Sequence, residues 1–402
     1  MATSSTTTVT VTEPPSTRSI DYISTYDAPK ASVKSPVNIA VVKYWGKRDG
    51  TLNLPTNSSI SVTLSPSDLC THTTVKTAPD APYDTLSLNG GPAEQISSPR
   101  TLAVISALRS LRTQLEAETA APSPLATVPL AITTKNNFPT AAGIASSASG
   151  YSALTRAIAT LFRLPADLTT LSRIARQGSG SACRSLHSGF VQWHKGTAAD
   201  GADSQAEQLA PASHWPELCA LILVASAATK AVGSSEGMSR TVATSALFAQ
   251  RVDEVVPAQV EKMRDAIARR DWEVFARVTM QESNNFHATC ADSFPPIWYI
   301  SETSQAVVRA VDWINGFVGR TVVCYTFDAG PNAVLFYRAC DEKVVEAMFG
   351  KVLRSLMAGS AEKLEEGLDL PDDVAGKLEK GVCRVISTRV GDGAAEVKED
   401  VV

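Results

Sequence analysis

The sequence predicts two α+β domains with a cleft between them. Three observations point there. Strand and helix signals alternate through both halves, the character of the chain changes near Pro211 to Pro216, and 402 residues suffice for two domains of ordinary size. The expected divisions are a Ser/Thr-rich tail over 1–29, an N-terminal domain over 30–212, a C-terminal domain over 213–391 and a flexible tail over 392–402.

The tail over 1–29 contains Pro14-Pro15, lacks the apolar stretch of a secretion signal and has almost no Arg, so it reads as disordered. Strand signals open the first domain, where Val37, Ile39 and Val41 alternate, as do Ile60, Val62 and Leu64. A helix follows. Ser98 can cap it, Pro99 takes its first position, and Leu102, Ile105, Leu108 and Leu115 share a face. A second helix is expected from near Ser149, with Tyr151, Leu154, Ile158 and Leu161 on one side. A third runs from Ala166 to Arg176 and stops at Gly178. In the second half, the apolar run from Leu218 to Ala225 reads as a buried strand, and helical periodicity covers roughly 239–281. Strands at 321–327 and 333–337 flank a turn, and a helix over 341–356 precedes a last strand over 383–388.

Composition narrows the function. The chain is 44% hydrophobic and 19% charged, as expected of a folded protein, and its net charge of -4 gives no general attraction to nucleic acid or anionic membrane. An anionic ligand must therefore find its counter-charge locally. Seven cysteines, an odd number with no C-x-x-C, argue against a disulfide framework or a zinc site and for a reducing cytosol. The longest apolar run, 218–228, is too short to span a bilayer.

Four segments carry candidate chemistry. In Asn136-Asn137-Phe138-Pro139-Thr140-Ala141-Ala142-Gly143-Ile144-Ala145-Ser146-Ser147-Ala148, small residues precede a helix whose N-terminus favours an anion. A plain strand-to-helix turn explains that composition equally well. Gly178-Ser179-Gly180-Ser181-Ala182-Cys183-Arg184-Ser185 can form a backbone nest for a diphosphate, with Arg184 as a two-pronged donor that a merely flexible loop would not require. Asn38 to Arg48 places Lys43, Lys47 and Arg48 beside Tyr44, Trp45 and Gly46, which suits an anion-binding edge or a solvated strand end. Arg100, a cation in a first helical turn, opposes the helix dipole. Asp328, ending an apolar strand before Ala329-Gly330-Pro331-Asn332, is either a turn residue or an acid projecting into a cleft as a proton acceptor. The segment Ser283 to Thr289 is distinctive, with no reading beyond packing. No Walker A motif, metal-ligand cluster or Rossmann fingerprint occurs.

At these four segments the chain resembles the mevalonate diphosphate decarboxylase family of the GHMP kinase superfamily. The similarity runs from about Ala31 to Gly391 and includes Asn53-Leu54-Pro55-Thr56-Asn57-Ser58-Ser59. Ala141 and Ala145 stand where galactokinase-like and mevalonate-kinase-like members usually carry glycine. The resemblance implies a two-domain GHMP-kinase-type fold, with the active site in the cleft and an N-terminal domain that binds ATP and substrate. It implies ATP-dependent conversion of mevalonate 5-diphosphate to isopentenyl diphosphate, with ATP and Mg²⁺ and no organic prosthetic group, in a cytoplasmic homodimer.

It also implies residue roles. Asp328 is the catalytic base, with Arg184 and Lys43 beside it. Asn38, Tyr44, Trp45, Gly46, Lys47, Arg100, Ser179, Gly180, Ser181, Ala182, Cys183, Ser234 and Met238 bind substrate. Pro139, Ala141, Ala142, Gly143, Ala145, Ser146 and Ser147 form the ATP loop. Gly233 replaces a serine found in some relatives. A kinase of the same superfamily that stops at the phosphorylated product, and a non-catalytic sensor of ATP and a metabolite, are the alternatives.

Overall fold

Three main sheets organise the chain. In the computed structural model, which describes residues 29–119, 124–138, 146–225, 231–353, 356 and 369–401, the first sheet has six strands. Their order is Ala395–Val397, Lys30–Pro36, Cys70–Thr77, Leu130–Asn136, Thr85–Leu88 and Glu94–Gln95. All neighbours are antiparallel except Thr85–Leu88 against Leu130–Asn136. The helices Pro99–Thr119, Ser146–Leu161 and Leu168–Gly178 cover it, packing Val104, Leu108, Ile158 and Leu171 against Val33, Val75 and Ile132. The second sheet is antiparallel, in the order Ala206–Ala210, Phe190–Trp193, Ser59–Thr63 and Asn38–Val42.

The third sheet, in the order Val323–Phe327, Ala333–Arg338, Leu218–Val224 and Arg384–Arg389, is antiparallel throughout. The helices Val256–Arg269 and Trp272–Ala291 lie in one apolar core with the second and third sheets, where Ile39 and Val62 meet Met263, Phe275, Ile222 and Phe336. The opposite face of the third sheet packs against the helices Glu302–Val318, Glu342–Val352 and Asp372–Gly381. Among the described residues, no helix is long and apolar enough to cross a membrane.

Several expectations need correction. The strands Asn38–Val42 and Ser59–Thr63 are buried at every position, because both faces of their sheet are packed. Their polar residues are therefore bonded inside the protein, as when Thr63 Oγ1 donates to the His187 carbonyl at 2.9 Å. The first helix buries Thr101, Val104, Ile105, Leu108 and Arg112, whereas Leu102 is 42% exposed. The stripe is set largely by the neighbouring helices, where Thr101 Oγ1 meets the Tyr151 hydroxyl at 3.1 Å and Arg112 Nη1 donates to the Phe162 carbonyl at 2.8 Å. The second helix begins at Ser146, three residues before the expected start.

The periodic stretch over 239–281 is several helices. Ser234–Thr244 and Leu247–Gln250 lead through a wide turn, Arg251–Val255, into Val256–Arg269. Arg270 then adopts a left-handed φ of 55°, and the Asp271 side chain accepts the Val274 N–H at 3.1 Å to start Trp272–Ala291. That last helix absorbs Ser283 to Thr289. The segment 392–402, expected to be flexible, instead adds the strand Ala395–Val397 to the first sheet. Asp400 then meets Lys30 at 3.1 Å and Lys76 at 3.2 Å, and the Val401 N–H reaches Thr74 Oγ1 at 3.0 Å. A polar terminus without apolar pattern can still dock when a sheet edge offers unpaired main-chain groups and cations.

Candidate active site

A cavity of about 400 Å³ opens beyond the strand Asn38–Val42, against the turn after Val323–Phe327 and the first turns of Ser146–Leu161 and Ser234–Thr244. On its wall, Lys43 Nζ meets Asp328 Oδ1 at 2.6 Å. The Lys43 side chain is 3% exposed and Asp328 28%, so the lysine is the buried partner and the acid faces the opening. Burial strips water from the ammonium and lowers the Lys43 pKa, while Asp328 pulls it back up. Asp328 lies where its strand turns away. The Gly330 N–H donates to the Asp328 carbonyl at 2.7 Å and closes the turn, and Asn332 Oδ1 ties it to the end of the strand Leu218–Val224 by accepting the Ala225 N–H at 2.8 Å. Both readings of this segment are thus realised together, as a tight turn that presents an acid to a cavity.

Arg184, 2% exposed, sits on the short helical turn Ala182–Ser185. Its Nε donates to Asn38 Oδ1 at 3.0 Å, its Nη1 to the Ser59 hydroxyl, and its guanidinium lies 5.8 Å from the centre of the Trp193 ring. Asn38 in turn donates to Ser185 Oγ at 2.7 Å and to the Ser181 carbonyl at 3.1 Å. Among the described residues, the guanidinium is therefore aimed by neutral groups. The Tyr44 ring meets Trp193 edge-on at 4.6 Å, and its hydroxyl has no hydrogen-bond partner among the described residues. Trp45 Nε1 donates to Thr241 Oγ1 at 3.0 Å, and the Trp45 ring packs 4.8 Å from Phe286. Lys47 and Arg100 complete a cationic rim, where burial and then the Arg100 charge lower the Lys47 pKa to about 8.

Comparison with known proteins decides what this arrangement belongs to. A family described as diphosphomevalonate decarboxylase-like N-terminal domain matches residues 35–206, and one described as mevalonate 5-diphosphate decarboxylase C-terminal domain matches residues 220–397. The chain belongs to the diphosphomevalonate decarboxylase family. It is 52% identical to the diphosphomevalonate decarboxylase of Gibberella zeae, over 92% of this chain and 97% of that one. It is 49% identical to that of Saccharomyces cerevisiae, over 92% and 96%. A crystal structure of mevalonate 5-diphosphate decarboxylase matches with a TM-score of 0.84 at 48% identity, covering 93% of this chain and 98% of that one. A protein named MDDEF, in complex with MVAPP, AMPPCP and magnesium, matches with a TM-score of 0.72 at 29% identity, covering 92% and 99%.

Most of the residues that resemblance to this decarboxylase family singled out meet at the cavity. Asn38, Lys43, Tyr44, Trp45, Lys47 and Arg100 line it, as do Ser146, Ser147, Ser179, Gly180, Ser181, Arg184, Ser234, Met238 and Asp328. Three do not. Ala182 and Cys183 are fully buried behind it. The Ala182 N–H donates to the Ser179 carbonyl at 2.9 Å and Cys183 Sγ to the Gly180 carbonyl at 3.0 Å, while burial pushes the thiol up to about 12. The segment is a helical turn rather than an open nest, which directs those two side chains inward. Gly46 shapes the wall instead of forming it. Its φ is 93°, and a Cβ there would lie 2.5 Å from Phe248 Cζ. Gly178 is no left-handed terminator either, for the helix runs through it to a cap at Ser179, and a Cβ would lie 2.1 Å from Tyr151 Cδ1. Pro139, Ala141, Ala142, Gly143 and Ala145 lie outside the described residues, as do residues 1–28 of the expected tail.

The sequence reading missed Ala40, Gly233, Ser235, Phe286 and Ala329 as wall residues. Phe286 sat inside the segment Ser283 to Thr289, whose odd composition was the available signal.

Proposed function

We propose that this cavity carries out the ATP-dependent decarboxylation of mevalonate 5-diphosphate to isopentenyl diphosphate, with Asp328 as the base. The observation that carries the assignment is the Lys43–Asp328 contact of 2.6 Å on the cavity wall, with Arg184 nearby. Lys43 occupies one carboxylate oxygen and leaves the other for the tertiary hydroxyl of the substrate. As that hydroxyl attacks the γ-phosphorus, its proton passes to Asp328 and the bond to ADP breaks. Inorganic phosphate then leaves the tertiary carbon. The electron pair of the bond to the carboxylate forms the double bond and releases carbon dioxide. The proton on Asp328 passes to the departing phosphate, and the carboxylate so restored stabilises the positive charge that develops at the tertiary carbon.

Binding follows from the same wall. Lys47, Arg100 and Ser234 hold the diphosphate, while Trp45, Met238 and Phe286 form its apolar side. ATP phosphates meet the Ser146 and Ser147 hydroxyls at a helix N-terminus. Magnesium would be held chiefly by ATP oxygens and water and would supply charge neutralisation at the phosphates. The reading extends to a cytoplasmic homodimer, supported by seven free thiols and by the family resemblance. Incubation with ATP, Mg²⁺ and mevalonate 5-diphosphate should yield isopentenyl diphosphate, ADP and phosphate by mass. Binding of both ligands without turnover would favour the sensor reading, against which stand Asp328 and Arg184, both on the cavity wall.

Two variants probe the binding wall. Arg184→Lys keeps the charge but loses the planar fork that Asn38 and Ser59 aim. Its kcat/KM should fall at least about tenfold, since a charge-assisted hydrogen bond contributes about 1.5–3 kcal/mol. Normal kinetics would reduce Arg184 to a distant charge. Lys47 supplies a pH test. With a pKa of about 8 in the free enzyme, it is mostly cationic at pH 7 and mostly neutral at pH 9. A bound diphosphate favours the cation, so the KM for the diphosphate substrate should rise about tenfold between those values. Lys47→Met should show a high KM with no such rise. A flat wild-type profile would remove Lys47 from diphosphate binding.

A further inference from the structure

The Lys43–Asp328 contact joins segments 285 residues apart, and the two side chains alone do not explain how their main chains are held in register. The helix Trp272–Ala291, behind the cavity, does. Glu282 has no exposed side-chain surface. Its Oε2 accepts the Lys43 N–H at 3.0 Å and Arg251 Nη2 at 2.9 Å. Arg251, equally buried, donates to the Asn285 side chain and, at 3.3 Å, to the Lys43 carbonyl, which also accepts Asn57 Nδ2 at 2.9 Å. The next residue, Ser283, accepts the Phe327 N–H at 3.1 Å through its hydroxyl. Adjacent residues of one helix therefore hold the main chain of Lys43 on one side and the residue before Asp328 on the other.

We propose that Glu282 and Ser283, with Arg251, are positioning residues that set the Lys43–Asp328 contact through the main chain. The proposal rests on the reading of that pair as reacting groups. None of the three lines the cavity, so none is placed to touch substrate. A buried ion pair is a poor stabiliser compared with apolar side chains of the same volume. What it provides here is direction, because an apolar pair could not bond both the N–H and the carbonyl of Lys43. A misplacement of about 1 Å at reacting groups can cost a hundredfold in rate, so such direction has a use. Charges face Lys43 from each side. Asp328 and Arg184 lie toward the cavity and Glu282 and Arg251 behind, beside the His287 ring, which burial lowers to about 3 and so keeps neutral. Glu282 favours the Lys43 ammonium, and its removal shifts Lys43 toward the neutral form at lower pH.

Glu282→Gln alone leaves Arg251 as an uncompensated buried charge, so the decisive variant is the double Glu282→Gln/Arg251→Met, studied beside Ser283→Ala. The double should regain the Tm lost in Glu282→Gln. Its kcat should stay at least about tenfold down with KM within about twofold of wild type, because the diphosphate contacts lie elsewhere. The Lys43 amide in the double variant should exchange hydrogen at least about tenfold faster, and the basic limb of the Glu282→Gln kcat profile should move to lower pH. Ser283→Ala should lower kcat in the same sense. Recovery of kcat together with Tm would overturn the proposal and leave the pair a structural feature only. Lys43→Met in the same assay separates the two claims. If it keeps wild-type turnover, the reading of Lys43–Asp328 as reacting groups fails. If it is inactive while the double variant is not, the positioning role fails.

Discussion

Asp328→Asn should lower kcat by about 10²–10⁴, the usual cost of removing a general base, with little change in Tm. The turn that carries Asp328 is closed by a main-chain bond from the Gly330 N–H, which asparagine leaves intact. Asparagine is nearly isosteric and can still accept from Lys43 Nζ, but its amide cannot take the hydroxyl proton. Lys43 loses its counter-charge, and burial already lowers its pKa, so it can shed its proton rather than remain an unpaired cation. The loss should therefore appear in kcat and not in folding. Turnover measured by product mass, beside thermal unfolding of the same sample, checks it. A variant that retains most of its turnover would return Asp328 to a turn residue.

Arg251→Met should produce the largest loss of stability, about 3–5 kcal/mol, because it strands the Glu282 carboxylate with no exposed surface. Glu282 would keep the Lys43 N–H as a donor, which does not replace a cation. The effect is read from the urea midpoint at constant slope. A midpoint close to wild type would mean that water reaches Glu282 and that the pair is not closed as described.

Much of this was legible in the chain because local rules and tertiary demands coincide. The strand Leu218–Val224 is a continuous apolar run because both its faces are covered. Lys43, Arg184 and Asp328 stood out as charges beside strand ends or glycines, and the family pattern joined them. What stayed hidden depends on contacts between distant segments. Glu282 reads as an ordinary helical surface residue until Arg251 and the Lys43 main chain are brought against it. Leu102 looks like a core position and faces solvent, since Thr101, bonded to Tyr151 of the next helix, and Val104 take the buried side instead. Asp400 has a polar, tail-like setting in sequence, and only the proximity of Lys30 and Lys76 makes it an anchor. Ala182 and Cys183 share a segment with Arg184, but one helical turn sends them to opposite sides of the wall.

In the proposed reaction, one cavity couples phosphoryl transfer to loss of the carboxylate. The most direct measurement supplies mevalonate 5-diphosphate labelled at the carboxyl carbon, with ATP and Mg²⁺, and counts labelled carbon dioxide against ADP. One carbon dioxide per ADP from the first turnover onward, with isopentenyl diphosphate in equal amount, is the predicted result. ADP formed without carbon dioxide, and a phosphorylated substrate that accumulates, would contradict it and make the protein a kinase.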